Sequence, residues 1–525
     1  MTMPPGLSES QFDDALNEFR GVVGNDWVFT IEEHIEMYRD TSSPLTALGE
    51  QAIPSAAVAP ENVEGVQGML RVANDYQIPI WIISTGKNYS YGGPDAIVNG
   101  SVILDLKRMN RILEINEEQA YALVEPGVSQ YDLWLEIQRR GMKLWIDGPS
   151  PAYSSIIANT IERGVGYGPL GERINAQCGM EVVLATGEVV RTGMGAITNS
   201  ETWQQYKYGL GPYVDGLFSQ TSLGVVTKMG IWLYPEPPAF RSAEVYVPNH
   251  EDIIPMLDVL RPLRISNVIP NSASASTNRG GPVEGGFGPG GQLGFGGGGP
   301  GGPGGPPPGP PGWRCRLGYY GYERVVDTNW EQTQDVFSSA INGCQFVSNR
   351  YTAPYNPDEW LTETKLAAGV PSFQETPMWN HGNGWSVSLV VPFSGQKYWE
   401  FLQAMDTFNQ QFGRRYFGGP LHMHTPHSLL TLAGVPGSAT DQELNERSRQ
   451  QVIQLHEFAR ENGWGEYRAP LASMSEAMAV YDFNDQALLR FHERIKAALD
   501  PSGIIAPGKN GIWPENFRDQ RGGQG

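Results

Sequence analysis

One stretch constrains the fold of this 525-residue chain more than any other: a buried strand that runs into a glycine-bearing loop. A β-branched run over residues 78–83 predicts the strand, and the loop Ser84–Gly93 follows with Gly86, Gly92 and Gly93. Glycine adopts positive φ without strain and lets a backbone approach a ligand closely. Successive exposed N–H groups in such a turn form a concave anion site. We interpret the loop as a cradle for a diphosphate; the alternative is an ordinary turn between two strands.

Composition narrows the class of protein. The chain has 40% apolar residues, enough for the cores of two or three domains, and a formal charge of −20. This charge argues against nucleic acid and an anionic membrane surface as partners, because both need basic patches. The cysteines Cys178, Cys315 and Cys344 are too few for a disulfide framework and too widely spaced for a zinc site. No signal peptide, membrane span or C-terminal address is recognised, so we expect a cytoplasmic protein.

The first 240 residues predict a β-α-β beginning that passes into a strand-rich α+β domain. Apolar periodicity predicts helices at 8–40, 60–76 and 130–140, strands at 78–83, 101–106, 112–115, 120–124 and 225–233, and a hairpin from 180–184 and 188–192. Further turn-rich segments are Pro149–Ser155, Glu162–Pro169 and Phe218–Gly224. Three polar loops of small residues in one domain favour a site for a large, phosphate-bearing ligand, and three unrelated surface loops are the alternative.

The second half predicts another α+β domain after a proline-rich boundary at 235–241. Residues 280–312 are dominated by glycine and proline, so we expect a disordered or loosely ordered insertion. Alternating strand and helix patterns then occupy 318–325, 328–348, 386–392, 396–412 and 416–423, and helices are predicted at 448–462 and 483–500. The chain closes with a loop at 463–468 and a compact tail, 503–514, that carries Lys509.

Seven stretches together resemble the vanillyl-alcohol oxidase and 4-cresol dehydrogenase family of FAD enzymes, which act on para-substituted phenols. They are Gly86–Gly93, Val124–Val128, Glu162–Tyr167, Gly179–Leu184, Tyr208–Gln220, Gly463–Arg468 and Asp500–Lys509. They cover both ends of the chain in the family order. The resemblance implies a two-domain α+β fold of the PCMH type: residues 1–240 and 461–525 form the FAD-binding domain, and residues 241–460, with the insertion, form an α+β cap over the flavin.

The resemblance also assigns the cofactor to the loops. It implies that the FAD diphosphate lies on Thr85–Tyr89, beside Pro149–Asn159 and Leu223–Val226. The implied cofactor-binding residues are Thr85, Gly86, Lys87, Asn88, Tyr89, Pro149, Ser154, Ser155, Asn159, Tyr167, Gly224, Val225, Arg468 and Lys509.

The family's phenol site has two tyrosines and an arginine, which the resemblance places at Tyr91, Tyr467 and Arg468. Removal of a hydride from the benzylic carbon leaves a quinone methide, and this step is easier when the phenol is ionised. An arginine and two hydroxyl donors stabilise a phenolate and lower its pKa. The alternative is that Arg468 forms an ordinary ion pair and the tyrosines pack in the core.

Three positions depart from the family pattern. The aspartate near the flavin falls on Ser150, which carries no charge and needs an activating partner to act as a base. The residue that often ties FAD covalently falls on Gly384, and the histidine that assists this attachment falls on Thr41. We therefore expect dissociable FAD. Tyr89, His381 and Trp385 are nearby alternatives for an attachment point.

The catalytic base remains open at the level of sequence. His381, His422, His424 and His427 fall in the cap region, and a strand through Leu421–Met423 would direct His422 and His424 to one face. A base or water-activating pair is one interpretation, and ordinary surface or hydrogen-bonded histidines are the other. A metal site lacks a third ligand. One related enzyme type has an acid on this strand, and the corresponding position here is near Gly419, which has no side chain to act.

The combined expectation is an FAD oxidoreductase that oxidises 4-alkylphenols or 4-hydroxybenzylic alcohols through a quinone methide, with O2 as the acceptor. The alternatives are a related flavoenzyme with altered chemistry (phenol coupling, cyclisation or another acceptor) and a flavin-binding protein without turnover. The partners expected are a small phenol, O2 and further copies of the chain. Nucleic acid, membrane and metal are not expected.

Overall fold

The computed structural model describes residues 2–41, 43–89, 91–149, 151–278, 312–358, 360–373, 384–412 and 417–524. The strands of this part of the chain are β1 Val28–Phe29, β2 Ala56–Val58, β3 Ile80–Ile83, β4 Val102–Asp105, β5 Ile112–Asn116, β6 Tyr121–Val124, β7 Leu144–Trp145, β8 Gln177–Val183, β9 Val189–Arg191, β10 Val225–Trp232, β11 Tyr234–Pro235, β12 Ala239–Val247, β13 Ala273–Asn278, β14 Gly312–Gly321, β15 Gln345–Thr352, β16 Trp385–Ser386, β17 Leu389–Pro392, β18 Phe417–Met423, β19 Ser428–Val435 and β20 Gly465–Glu466. Its α-helices are α1 Glu9–Val23, α2 Glu32–Ile35, α3 Val63–Tyr76, α4 Gln130–Arg139, α5 Ile156–Ile161, α6 Arg173–Ala176, α7 Ile253–Ile265, α8 Glu323–Ala340, α9 Thr362–Ala367, α10 Gly395–Phe412, α11 Gln442–Asn462, α12 Met474–Ala479 and α13 Phe483–Leu499.

The first sheet has the order β1-β2-β4-β3, in which β2, β4 and β3 are parallel. Helix α3 connects β2 to β3 and begins where the Asn62 side chain accepts a hydrogen bond from the Gly65 N–H at 2.8 Å. Its apolar face lies in the core of this sheet. The C-terminal tail extends the sheet: the Ile80 N–H donates to the Ile504 carbonyl, and the Ala506 N–H donates to the Ile80 carbonyl, both at 2.7 Å.

The second sheet is antiparallel, with the order β5-β6-β10-β8-β9. The predicted hairpin is the pair β8–β9. Strand β10 begins directly after the third loop, Phe218–Gly224. Strand β3 of the first sheet ends directly before the first loop, Ser84–Gly93. The two sheets therefore place these loops at the same cleft.

The cap is a single antiparallel sheet with the path β15-β12-β14-β13-β18-β19-β17-β20, and β16 adds to β19. Helices α7, α8, α10 and α11 share one apolar core with its strands. Strand β19 illustrates the alternation expected of a sheet: Ala433 is in this core, whereas its neighbour Leu432 lines the cleft. The cap thus presents one face to its helices and the other to the FAD-binding part.

Several predicted boundaries are wrong in detail. The first helix ends at Val23 instead of continuing to residue 40, because Gly24 turns the chain at a φ of +89°. Helix α11 begins six residues earlier than predicted, where the Asp441 side chain accepts from the Leu444 N–H at 2.8 Å. Of the predicted insertion 280–312, only Gly312 is described, and it begins β14.

The domain boundaries predicted at 240/241 and 460/461 stay predictions. In the structure, β20 still pairs with β17 of the cap, whereas Ala469 and Leu471 belong to the core of the first sheet. The chain therefore crosses from cap to FAD-binding part at Tyr467 and Arg468. Among the described residues, no helix combines the length and apolar character that a bilayer crossing requires.

Candidate active site

A cleft lies between the loops of the first two sheets and the cap. It contains about 1500 Å³ of space free of protein atoms, including the open solvent at its mouth. The predicted residues that line it are Thr85, Gly86, Lys87, Asn88, Tyr89, Tyr91, Pro149, Ser154, Ser155, Asn159, Tyr167, Gly224, Tyr467, Arg468 and Lys509. Residues from both ends of the chain thus meet at one cleft.

The first loop has the backbone that the cradle hypothesis requires. Gly86, Gly92 and Gly93 have φ values of +67°, +117° and +52°, which side chains strongly disfavour. The N–H groups of Tyr91 and Gly93 both donate to the Asn88 carbonyl, at 3.1 and 3.0 Å, and close the turn. Within the described part of the chain, the N–H groups of residues 86–89 donate no hydrogen bond. These donors suit a diphosphate.

The second loop, Pro149–Ser155, leads into helix α5, and Asn159 of this helix offers an unpaired hydrogen-bond acceptor. The Ser155 hydroxyl donates to the Pro126 carbonyl at 2.7 Å and accepts from the Ala158 N–H at 3.1 Å, and the Ser154 hydroxyl donates to Pro151 at 2.8 Å. Both hydroxyls are therefore already engaged in holding the start of α5. The Asn159 Oδ1 atom, by contrast, is buried without a partner. A buried polar atom without a partner calls for an explanation, and a donor on a bound cofactor supplies one.

The third loop contributes through Gly224 and Val226, which line the cleft. The Val225 side chain, predicted as a cofactor contact, instead lies in the core of the first sheet. The reason is the two-residue period of β10, which begins at Val225 and directs successive side chains to opposite faces.

The predicted phenol-binding residues converge at the cap side of the cleft. The guanidinium carbon of Arg468 lies 4.1 Å from the centre of the Tyr91 ring. Arg468 also donates from Nη2 to the Asn88 side chain, 380 residues earlier in the chain, and its Nε is buried without a partner. Tyr467 lines the same cleft. The geometry leaves a guanidinium N–H and two tyrosines available to a ligand.

Local electrostatics fix the charge states of this group. Burial raises the pKa of Tyr91 well above its usual value, and Tyr467 adds to this rise, while Arg468 and the Ser388 hydroxyl oppose it. Tyr91 is therefore a hydroxyl donor at neutral pH. Burial alone would lower the pKa of Arg468, but Tyr467, Glu162 and Tyr91 outweigh it, and the net pKa is raised. The buried guanidinium stays cationic.

Backbone contacts hold Tyr467 and Arg468 as they leave the cap sheet. The Tyr467 N–H donates to the Ser388 carbonyl at 3.1 Å. The Gln220 side chain donates to the Tyr467 carbonyl at 2.8 Å, which ties this segment to the third loop. The two residues are thus fixed from both domains.

Sequence reasoning gave no role to one cleft residue, Glu162. It lines the cleft and forms an ion pair with Lys509, and both side chains are largely buried. Burial alone would raise the pKa of Glu162, but Lys509 and Arg468 lower it below its usual value. A signal existed, because Glu162 opens one of the seven stretches quoted above. Its charge is compensated by the two cations, so the cleft still favours an anion.

In the part of the chain that it describes, the structure does not bring the candidate bases to the cleft as it does the phenol-binding residues. Ser150 and His381 lie outside the described residues. His422 is fully buried with neither ring nitrogen bonded, and its ring centre lies 5.9 Å from that of Tyr167. Burial lowers the pKa of His422 to about 3 and that of His424 to about 4, so both are neutral. Among the described residues that line the cleft, neither histidine is present.

The structure also describes the two positions that the resemblance links to covalent attachment of FAD. Gly384 lies at a small cavity that it shares with Gly92 and Asp95, and it has no side chain that could bond to a flavin. Thr41 is described and has an interaction partner. Neither position supplies a histidine or tyrosine nucleophile.

Comparison with known proteins agrees with this geometry. Residues 54–193 match the sequence model of an FAD binding domain. The fold and the cleft therefore define an FAD-dependent oxidoreductase, and the unpaired Asn159 oxygen and the free N–H groups of the first loop fit that cofactor.

The relatives narrow the class further. The chain is 33% identical over 529 residues to the 4-cresol dehydrogenase [hydroxylating] flavoprotein subunit of Pseudomonas putida, covering 97% of both chains. It superposes on a 4-ethylphenol oxidase from Gulosibacter chungangensis, in an isoeugenol complex, with a TM-score of 0.85, 31% identity and coverage of 98% of this chain and 100% of the other. The TM-score to p-cresol methylhydroxylase with substrate bound is 0.83, at 31% identity and coverage of 98% and 99%. The chain belongs to the vanillyl-alcohol oxidase and 4-cresol dehydrogenase family, and the predicted two-domain fold is confirmed.

Proposed function

We propose that this enzyme oxidises para-substituted phenols, 4-alkylphenols or 4-hydroxybenzylic alcohols, which it binds as phenolates. The observation that carries the proposal is the convergence of Tyr91, Tyr467 and Arg468 at one end of the FAD cleft, with the Arg468 guanidinium 4.1 Å from the Tyr91 ring centre. The similarity to a 4-cresol dehydrogenase subunit and a 4-ethylphenol oxidase supports the same substrate class.

The residues at this end perform distinct tasks. Arg468 supplies a permanent positive charge, and its unpaired Nε–H donates to the phenolate oxygen. Tyr91 and Tyr467 supply hydroxyl donors, and the raised pKa of Tyr91 keeps its proton in place. In a buried site such donors stabilise an oxyanion strongly. FAD, when bound, would supply a hydride acceptor for the benzylic carbon, and the oxyanion that Arg468 and the two tyrosines stabilise would assist conversion of the substrate to a quinone methide.

The proposal includes the steps after hydride removal. The quinone methide adds water, desaturates its side chain or collapses to a carbonyl compound, and O2 is the final electron acceptor. We infer that FAD is dissociable, because Gly384 offers no attachment atom. Acid precipitation tests this: a colourless pellet under a yellow supernatant is expected, and a yellow pellet would contradict it. Assembly into homo-oligomers stays a prediction.

The test of the phenolate site compares phenols with their methyl ethers, which cannot ionise. Arg468→Ala and Tyr467→Phe are expected to weaken binding of a 4-alkylphenol by about 10- to 100-fold. Each variant loses a hydrogen bond to the charged phenolate oxygen, which contributes roughly 1.5–3 kcal/mol. Binding of the methyl ether should change little. The flavin absorbance under anaerobic conditions monitors both ligand binding and reduction of the flavin.

Matched controls are available at exposed positions. Tyr322 and Arg447 are solvent-exposed, and Tyr322→Phe and Arg447→Ala should leave both ligands unaffected. Equal losses for phenol and ether in the site variants would rule out a phenolate site. A spectral shift without bleaching in the native enzyme would indicate binding without redox turnover.

A further inference from the structure

Directly behind the phenol-binding residues lies a buried acid–base pair that the proposed chemistry does not use. His456 of α11 and Glu466 of β20 approach at 2.8 Å between Nε2 and Oε2. Their side chains are only 3% and 1% exposed. Glu466 precedes Tyr467 and Arg468 in the chain, so any change at this pair is transmitted to the site over one or two residues.

The hydrogen bonds define how many protons the pair carries. The His456 Nδ1 atom lies 2.9 Å from the Val452 carbonyl, which accepts only, so Nδ1 carries a proton. The 2.8 Å contact between Nε2 and Oε2 then needs one further proton between them. The pair is an imidazolium with a carboxylate or an imidazole with a carboxylic acid, and it is neutral overall in both forms.

A short chain of contacts links this pair to the phenol end of the cleft. The second Glu466 oxygen, Oε1, accepts from the Ser388 N–H at 3.1 Å. The Ser388 carbonyl accepts from the Tyr467 N–H at 3.1 Å, and the Ser388 hydroxyl lies beside Tyr91, whose pKa it lowers. Ser388 is thus hydrogen-bonded through its backbone to both Glu466 and Tyr467, and it transmits the position of the carboxylate to Tyr467; its hydroxyl is near Tyr91 but has no hydrogen-bond partner among the described residues.

We propose that His456 and Glu466 are positioning residues for the phenolate site: they hold Ser388 and Tyr467 in place and keep the protein behind the site free of net charge while their shared proton is present. Loss of that proton leaves a buried negative charge behind Tyr467, and this charge repels a bound phenolate. The inference rests on the proposed function, because it requires the ligand to be anionic.

The groups around His456 and Glu466 set the pH at which the shared proton is lost. Burial would lower the pKa of His456, but the contact with Glu466 raises it, and Glu476 of α12 acts in the same direction. Burial raises the pKa of Glu466. Tyr481 donates to the Glu466 carbonyl at 3.0 Å, and Arg163 faces Tyr481. Both directions favour retention of the shared proton to a higher pH than a free imidazole would keep it, so phenolate binding should weaken as the pH rises.

Glu466 also lines a second cavity, of about 1090 Å³ of free space, on the side of Tyr467 and Arg468 away from the first loop. The cavity lies beside the pair but does not open onto it: the Glu466 side chain is 1% exposed, and His456 is absent from the described residues that line the cavity.

The experiment uses 4-nitrophenol, which lacks a benzylic hydrogen and whose phenolate absorbs visible light. Its binding to the FAD-loaded enzyme is followed by difference spectra between pH 6 and 10. In the native enzyme we expect phenolate binding to weaken roughly tenfold as pH rises through the pKa of the pair. Glu466→Gln should abolish this alkaline loss, because glutamine preserves both hydrogen bonds, to Ser388 and to His456, without a titrating charge.

The control is Glu476→Gln, which removes the neighbouring carboxylate near His456 but not the contact with Ser388; its alkaline loss should persist. Flavin absorbance and thermal unfolding verify that each variant is intact. An identical alkaline loss in Glu466→Gln and the native enzyme would overturn the inference. Failure of the native enzyme to bind 4-nitrophenol as its phenolate would instead overturn the proposed function, so the two failures are distinguishable.

Discussion

The two buried acid–base pairs near the C-terminal end of the chain differ in how completely each is hydrogen-bonded. The Lys496 ammonium donates to the Asp500 carboxylate at 2.6 Å and to the carbonyls of Ser222 and Ile505 at 2.8 and 2.5 Å. All three of its protons are used. The carboxylate also accepts from the N–H groups of Ile504 and Ile505, at 3.2 and 2.8 Å.

His456 and Glu466, in contrast, share one proton and have few other partners. A buried ion pair persists when its remaining donors and acceptors are satisfied, and a pair with fewer partners changes its protonation more readily. The difference separates a fixed structural tie from a pair whose charge can vary. Lys496 joins α13, the third loop and the tail, whereas His456 and Glu466 stand behind the substrate.

The strongest test of the comparison is Lys496→Met, which removes the ammonium and keeps most of the side-chain volume. It leaves the Asp500 carboxylate buried without its cation, and we expect a loss of about 3–5 kcal/mol in the free energy of unfolding. Loosening of the Ser222 loop and the tail should also speed the release of FAD. Urea unfolding measures the first effect, and flavin fluorescence measures the second.

The control for this variant is Lys143→Met. Lys143 is exposed and pairs with Glu236 at 3.2 Å, an arrangement that contributes little. Lys496→Met and Asp500→Leu combined should recover part of the stability, since no buried charge then remains. A loss below about 1 kcal/mol for Lys496→Met alone would remove the distinction between the two pairs.

Local sequence patterns predicted the glycine loop well, because the requirements of such a loop are local. Gly86 at positive φ and the following closed turn depend on neighbouring residues only. The α+β class and α3, with its apolar face, followed from periodicity for the same reason. The convergence of Tyr91 with Arg468 came from the family resemblance, because no periodicity brings residues 380 apart together.

What remained unpredicted depends on tertiary contacts. Lys496 and Asp500 were not recognised as a pair from the sequence, because only the packing of the tail against the Ser222 loop buries them. Glu466 was quoted within a stretch without a role, because its partner His456 lies one helix earlier and their contact depends on β20 joining the cap sheet. The Val225 side chain lies in the core because one residue of register in a strand exchanges core and cleft, and its role as a cofactor contact stays a prediction.

Asp95 is a third buried acid, and its neighbours Gln51, Asp40 and Arg39 include both neutral and charged groups. Asp95 is 3% exposed and accepts from the Ala96 N–H at 3.0 Å, and burial raises its pKa to about 8. Its folded pKa exceeds the unfolded value, so the folded state holds a proton that the unfolded state releases. Stability should fall by about 1.4 kcal/mol per pH unit between roughly pH 4 and 8. Asp95→Asn should flatten this slope in thermal unfolding across that window, and parallel slopes for both proteins would contradict it.

The smallest expected effect concerns Glu162 and Lys509, a pair that lies in the cleft itself and is about 15% exposed. Glu162→Gln removes a negative charge between Lys509 and Arg468 and should cost less folding stability than Lys496→Met, because glutamine still accepts a hydrogen bond from Lys509 and the pair lines the solvent-open cleft. The affinity for dianionic FAD should rise about fivefold, since one charge at an intermediate distance contributes about 1 kcal/mol. Titration of the apoenzyme with FAD measures this, with Glu188→Gln as the exposed control. A weaker affinity in Glu162→Gln would mean that the carboxylate orients Lys509 and Arg468 for the cofactor, and Glu162 would then belong with the fixed ties such as Lys496–Asp500.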